Sequence, residues 1–261
     1  MKRTVKFLVY IFIVATLTSC IGGAMQQSIN QPEFVIQVPS SLDETKYVWS
    51  LIKNIQFYHN NGYKLSMPND EIVNTLIQKN KTNKLSNKDW EIFKSVFLER
   101  IYNKSYYSVS YEIVKSNLLS ANKAIELFRG YQNKWNFYIP RKYTIVLTLY
   151  GPGGSYNPNS GKIFLMTTKY GNFKRSKNPL ETIFHEAVHI GIENVVIKKY
   201  KVSHWMKERI VDKFVAHHFM NICPDYRLQP NTDTTIDKIL NDPKVWDNLP
   251  DEISRFLSNK A

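Results

Sequence analysis

Glycine and cysteine are both scarce in this chain of 261 residues, which contains ten glycines and two cysteines. So few glycines exclude a collagen-like or linker-dominated chain. No segment recurs with a period of about 20 to 50 residues, which argues against a solenoid or a propeller. Apolar residues make up 43% and charged residues 22%, as in globular proteins. The length is enough for one compact domain or two small ones, with a sizeable core.

Acidic residues are also in short supply, because 22 Asp and Glu stand against 35 Lys and Arg, giving a formal net charge of +13. The basic residues are spread along the whole chain, and no helix-turn-helix, zinc-finger or RNA-binding motif accompanies them. We therefore expect no nucleic-acid partner and interpret most lysines as solvated surface. Anionic lipid head groups or acidic polymers suit this charge better.

Long hydrophobic runs are missing too, since the apolar run at residues 7–17 is too short to predict a transmembrane helix with assurance. It follows a basic start in residues 1–6, and the two together predict a secretory signal peptide. Residues 17–20, "LTSC", resemble a bacterial lipobox, which implies cleavage after residue 19 and acylation of Cys20, for instance with palmitate. The alternative is an ordinary signal peptide with a cysteine near its end.

The lipobox implies a signal peptide over residues 1–19 and a lipidated tether over residues 20–40. We then expect the protein in the bacterial cell envelope, periplasmic or surface-exposed, attached to the membrane through the lipid on Cys20. The two residues after Cys20, Ile21 and Gly22, are not aspartate. By resemblance to enterobacterial lipoproteins, this favours the outer membrane. Cys223 would then have no intramolecular partner, so the fold is not held by a disulfide. Nothing in the sequence indicates an oligomeric state.

The chain between the tether and about residue 135 carries amphipathic segments that predict helices. These segments are residues 41–58, with Ser41 and Glu44 as a capping box, residues 71–79 after Pro68 and Asp70, residues 86–102 opened by Ser86 and Asp89, and residues 120–135 capped by Ser120.

Predicted strands precede and follow this helical region. Residues 34–38 form a possible first strand, and the β-branched, apolar residues 143–150 and 162–168 predict two more. The turn-rich segment "GPGGSYNPNSG" between the last two predicts a loop. Because helical patterns resume afterwards, the fold class is α+β and mainly helical.

The segment "HEAVH", residues 185–189, is the chain's chemical motif. Asn178 and Pro179 predict the start of a helix, on which His185 and His189 are four apart and share one face, so both imidazoles can reach one ion. Glu186 is offset by about 100° and can take a proton from water without being a ligand. Zinc chemistry of this kind needs a third ligand and one open position. The alternative is one buried, hydrogen-bonded histidine and one at the surface.

A second predicted helix, opened by Ser203, carries Glu208 nineteen positions after His189 and Asp212 four positions later. Together with "HEAVH" this pattern resembles the gluzincin zinc peptidases, although "KERIVDK" could also be a solvated charged helix face. The resemblance implies that His185, His189 and Glu208 bind one Zn²⁺. It also implies that Glu186 is the general base and that Asp212 supports a ligand histidine.

The residue pattern changes near Pro140 and divides the chain into a helical N-terminal region, residues 41–140, and a region of residues 141–261, which the resemblance, over about residues 143–220, marks as zincin-like; the two are either separate or joined in one compact domain. It implies a membrane-anchored zinc metallopeptidase that hydrolyses protein or peptide substrates with a zinc-activated water. The exopeptidase motif of the family, of the type G-x-M-E-N, is replaced by "GPGGSYNPNSG", which favours an endopeptidase. The strand beside the cleft is then expected to be residues 143–150 or 162–168.

The residue that stabilises the oxyanion is not fixed by any motif. Tyr226 is the first candidate, with Tyr200, His217 and His218 as others. Two further functions stay open. One is a non-catalytic lipoprotein with a structural or vestigial zinc site, acting as a binding module. The other is a hydrolase of a non-peptide amide or of a cell-wall crosslink.

Overall fold

The structure, a computed structural model, describes residues 31–82, 84–174 and 177–259. The predicted signal peptide, Cys20 and most of the tether therefore lie outside the described residues. From Pro32 onward the chain packs as one compact unit. Within the described ranges, none of the helices combines the length and the apolar character needed to cross a bilayer.

The architecture is α+β and mainly helical, which confirms the predicted fold class. The α-helices of the described residues are α1 (Ser41–Lys53), α2 (Ile55–Asn60), α3 (Glu71–Asn80), α4 (Asn87–Val96), α5 (Ser108–Trp135), α6 (Pro179–Ile192), α7 (His204–His218), α8 (Asp237–Leu240) and α9 (Leu249–Ser258). Their β-strands are β1 (Glu33–Gln37), β2 (Lys142–Thr148), β3 (Gly154–Asn157) and β4 (Lys162–Met166). A π-helical segment follows each of two helices. Phe97–Ile101 continues α4, and Glu193–Lys198 continues α6.

The four strands form one mixed sheet in the order β1-β2-β4-β3. Strands β1, β2 and β4 are parallel, with Ile145 of β2 aligned to Ile36 on one side and Ile163 on the other. Strand β3 runs antiparallel to β4, with Ser155 opposite Phe164. Since β3 pairs only with β4, it is an edge strand.

The main core lies between one face of this sheet and helices α5, α6 and α7. Alternate residues of the inner strands point into it, as the two-residue period of a strand requires, and are fully buried: Tyr143, Ile145, Leu147, Ile163 and Leu165. Helices α1, α3 and α4 enclose a second, smaller apolar cluster, made of Val48, Ile52, Val73, Leu76, Phe93 and Phe97. The N-terminal helices thus have a core of their own beside the sheet.

The helix starts show where local sequence signals were sufficient. Asp70 caps α3, and Ser86 and Asp89, which were predicted to open the next helix, form a capping box at the start of α4. The prediction for α1 was wrong by one residue, because the cap is Ser40, which accepts from the Asp43 amide. Glu44 is therefore not a capping residue, and its side chain points into the protein.

Two other local predictions were wrong. Helix α5 begins at Ser108 rather than at Ser120, because buried residues such as Val114 continue its apolar face toward the N terminus. The segment "GPGGSYNPNSG" is not all loop, because Gly154–Asn157 forms β3. Its turn-forming composition concealed a strand that is stabilised by pairing with β4 rather than by local preference.

We expect the buried carboxyl group of Glu44 to make the free energy of unfolding depend on pH. Its side chain is 1% exposed and accepts from Thr148 Oγ1 at 2.8 Å and from the Leu149 amide at 3.3 Å. Burial raises the pKa of Glu44 from 4.5 to about 7, although these hydrogen bonds oppose the shift. The folded protein then keeps a proton that the unfolded chain releases, so stability falls as pH rises from about 4.5 to 7, by about 3 kcal/mol.

Urea denaturation of the Glu44→Gln variant between pH 5 and pH 8 checks this prediction. The free energy of unfolding should fall more steeply with pH in the wild type than in the variant, because glutamine does not ionise. The exposed Glu112→Gln change is the control and should follow the wild type. Parallel curves for the wild type and Glu44→Gln would contradict the assignment.

Candidate metal centre

Helix α6 is buried along its whole length. The side chain of Asn178 caps it by accepting from the Leu180 amide, Pro179 occupies its first turn, and every residue from Pro179 to Ile192 is buried. Gly191 is required for this packing, because a Cβ there would meet the Phe137 ring at 1.9 Å. The motif histidines therefore lie in the interior rather than on a solvated helix face.

His185, His189 and Glu208 come together as a buried group that could hold a metal ion. The Nε2 atoms of His185 and His189 are 3.0 Å apart, and Glu208 Oε2 lies 3.2 Å from the first and 3.4 Å from the second. The three side chains are 2–5% exposed. Within the described part of the chain, the group has three members, and none of the other histidines joins it.

The electrostatics of the group match a cation site. Burial opposes the charged form of His185, but hydrogen bonds to Asp212 and Glu208 outweigh it and raise the pKa of His185 to about 9. Burial lowers the pKa of His189 to about 3. Burial also opposes ionisation of Glu208, but the neighbouring imidazoles outweigh it and hold its pKa well below the usual range. A metal ion entering the group therefore displaces a proton from His185.

Asp212 supports His185 from behind. Its carboxylate is fully buried, and Oδ1 lies 3.4 Å from His185 Nδ1 and accepts from the Tyr226 hydroxyl at 2.7 Å. That hydroxyl also lies 2.7 Å from His185 Nδ1, which can donate to it. With a proton held at Nδ1, loss of the Nε2 proton would leave the Nε2 lone pair facing the space between Glu208 and His189, as a metal ligand requires.

Tyr226 therefore contacts His185 on its Nδ1 side, and it is not among the residues that line the cleft. His218 and His217 also lie elsewhere, since His218 Nε2 is 3.0 Å from the Tyr131 hydroxyl and His217 stacks on Trp246.

His189 is oriented by a ring contact rather than by a hydrogen bond at Nδ1. Its ring stacks on Tyr156 at 4.7 Å, and its Nδ1 atom has no hydrogen-bond partner among the described residues.

The metal-binding group opens into a cleft whose floor is α6 and whose near wall is strand β3. Gly154 of β3 lies directly against Glu186, because a Cβ at Gly154 would be 2.3 Å from Glu186 Oε1. Strands β2 and β4, expected beside the cleft, are interior strands, so that expectation was wrong. The sequence predicted β2 and β4 but not β3, so it could not show that β3, rather than β2 or β4, lies at the edge of the sheet.

The opposite wall is aromatic and was not predicted from the sequence. Phe57, Tyr58 and Tyr63, from α2 and the loop after it, line the cleft together with His204 at the start of α7. The Tyr63 hydroxyl lies 2.8 Å from His204 Nε2. Burial, followed by the charge of Lys207, lowers the pKa of His204. His204 is 141 positions from Tyr63 in the chain, and no periodic pattern links it to the three aromatic residues.

No protein-family model matches this chain, and neither a curated protein sequence nor a solved structure is significantly similar to it.

Metal binding can be tested on the wild type and on His189→Ala. The protein should bind one divalent ion per chain, and the variant should bind it more than about 100-fold less tightly, because one of three donors is lost and outer partners alone contribute about 10–100-fold. Competition with a chromophoric chelator measures both affinities. His59→Ala, which removes an exposed histidine of α2, is the matched control and should bind as the wild type does. Equal affinities in all three proteins would contradict the site.

Proposed function

We propose that this protein is a zinc-dependent peptidase with endopeptidase activity. The observation that carries the proposal is the group of His185, His189 and Glu208 facing a cleft, with Glu186 beside it. Three ligands with a cleft on the open side favour a catalytic site over a structural one, in which four protein ligands close the metal.

Zinc is the ion that best fits the donors. Two imidazole nitrogens and one carboxylate oxygen form a borderline set, whereas Mg²⁺ and Ca²⁺ favour sites made of oxygen. All three donors are buried and already lie within 4.8 Å of one another. When bound, zinc supplies Lewis acidity, which activates water as a nucleophile and polarises the carbonyl that it attacks.

The protein's own residues supply the proton transfers and the docking of substrate. The Glu186 carboxylate takes a proton from the attacking water and later delivers it to the leaving amine. Among the residues that the structure describes, no strand pairs with the outer edge of β3, and an extended peptide can add there as a further strand by backbone hydrogen bonds. Because Gly154 of β3 contacts Glu186, a peptide bound there passes next to the general base. A docked strand needs no free terminus, which favours an endopeptidase.

The aromatic wall completes the cleft. Tyr63 and His204 form a hydrogen-bonded pair on the side facing the metal ligands, and we propose them, rather than Tyr226, as donors to the oxyanion. Phe57 is 50% exposed at the rim. Its apolar surface suits substrates with a large apolar side chain near the cleaved bond.

Cleavage of an unbiased peptide library by the wild type and by Glu186→Gln tests this function. The wild type should cleave internal bonds and favour sites with a large apolar neighbour. Glu186→Gln should bind zinc normally but cleave at least about 100-fold more slowly, the scale of general-base catalysis.

The exposed Glu91→Gln change is the matched control and should be fully active. A zinc-loaded wild type that cleaves no peptide would favour the binding-module alternative. Full activity of the Glu186→Gln variant would show that Glu186 is not the general base.

We also propose that the peptidase is anchored in the bacterial cell envelope through lipid on Cys20, facing a substrate outside the cytoplasm. The support is the lipobox-like "LTSC" behind a basic and apolar leader. Mass spectrometry of the N-terminal peptide should find an acylated Cys20 as the first residue of the mature chain. Cys20→Ser should release the protein from membranes, whereas an unmodified N terminus at another residue would contradict the anchor.

A further inference from the structure

The two oxygens of Glu208 have different polar neighbours, a hydrogen-bond donor for Oε2 and an ammonium for Oε1. Oε2, the oxygen nearest the two histidines, accepts from the side-chain amide of Gln229 at 2.8 Å. Oε1 lies 3.4 Å from Lys207 Nζ. The hydrogen bond from Gln229 opposes rotation of the carboxylate, so that Oε2 stays the oxygen nearest the two histidines.

Gln229 is itself fixed at three points. Its backbone amide donates to Asp212 Oδ2 at 2.6 Å, and its carbonyl accepts from Thr232 Oγ1 at 2.9 Å, while its side chain reaches Glu208. Thr232 is buried and accepts from the guanidinium of Arg209, the residue after Glu208 on α7. The loop after α7 is thus tied to the helix that carries the metal ligand.

We propose that Gln229 is a positioning residue that makes Glu208 a one-oxygen metal ligand. A carboxylate free to turn can give both oxygens to a dication, and the second oxygen would then occupy the position that a catalytic site leaves open. A neutral amide suits this task, because it donates a hydrogen bond without adding a charge that repels or competes for the cation. The inference concerns metal coordination and does not depend on peptidase activity.

The test compares full-length Gln229→Met and Gln229→Asn, each loaded with cobalt(II) as a spectroscopic probe. Methionine keeps the chain length and the backbone bond to Asp212 but loses the amide donor. Asparagine keeps the amide but is one methylene too short to hold Oε2. Gln132→Met, on the exposed surface of α5, is the matched control.

Both Gln229 variants should bind cobalt about 10-fold more weakly than the wild type, within the range for outer partners of metal ligands. Their visible bands should weaken as the coordination number of cobalt rises, and the Gln132→Met spectrum should match the wild type. A purely structural role would lower the melting temperature of the metal-free protein without altering the cobalt spectrum. Wild-type affinity and spectrum in either Gln229 variant would overturn the proposal, as would a wild type that binds no cobalt.

Discussion

One buried contact organises this molecule, that of the Glu208 carboxylate on α7 with the imidazoles of His185 and His189 on α6. Removing a carboxylate from water costs several kcal/mol unless partners replace the lost hydration. Here the partners are the two imidazoles, the Gln229 amide and the Lys207 ammonium. They fix how α6 and α7 pack, and they bring together donors that suit a dication. The zinc chemistry that we propose depends on these contacts, which replace the hydration that the Glu208 carboxylate loses on burial, more than on any feature of the surface.

The part of the chain without a chemical motif contributes aromatic side chains to the lining of the cleft. The Tyr47 hydroxyl of α1 lies 3.3 Å from Ser155 Oγ of β3, and Ser66 and Gly151 exchange backbone hydrogen bonds of 2.9 and 2.8 Å just before that strand. Helix α2 and the loop after it supply the aromatic wall. The N-terminal helices thus hold β3 against Glu186 and close the cleft from the other side. These helices pack around their own small apolar core.

Local and periodic features were predictable from the sequence, and features that depend on tertiary pairing were not. The caps of α3, α4 and α6 and the mainly helical α+β class follow from short-range patterns. The spacing of His185 and His189 on one helix, with Glu208 on the next, also anticipated which donors meet. Strand β3 was missed, because its pairing with β4 overrides its turn-forming composition. Tyr63 and Gln229 were missed as well, because they reach the site through contacts distant in sequence that no local pattern encodes.

The central claim is that three protein ligands hold one zinc ion and leave its fourth position to the cleft. X-ray absorption spectroscopy of the zinc-loaded protein measures this coordination directly. We expect two imidazole nitrogens, one carboxylate oxygen and one further oxygen from solvent, all at about 2.0–2.2 Å. His189→Ala should lose one imidazole contribution from the spectrum. A shell filled by four protein ligands, or a protein that retains no zinc, would contradict the account.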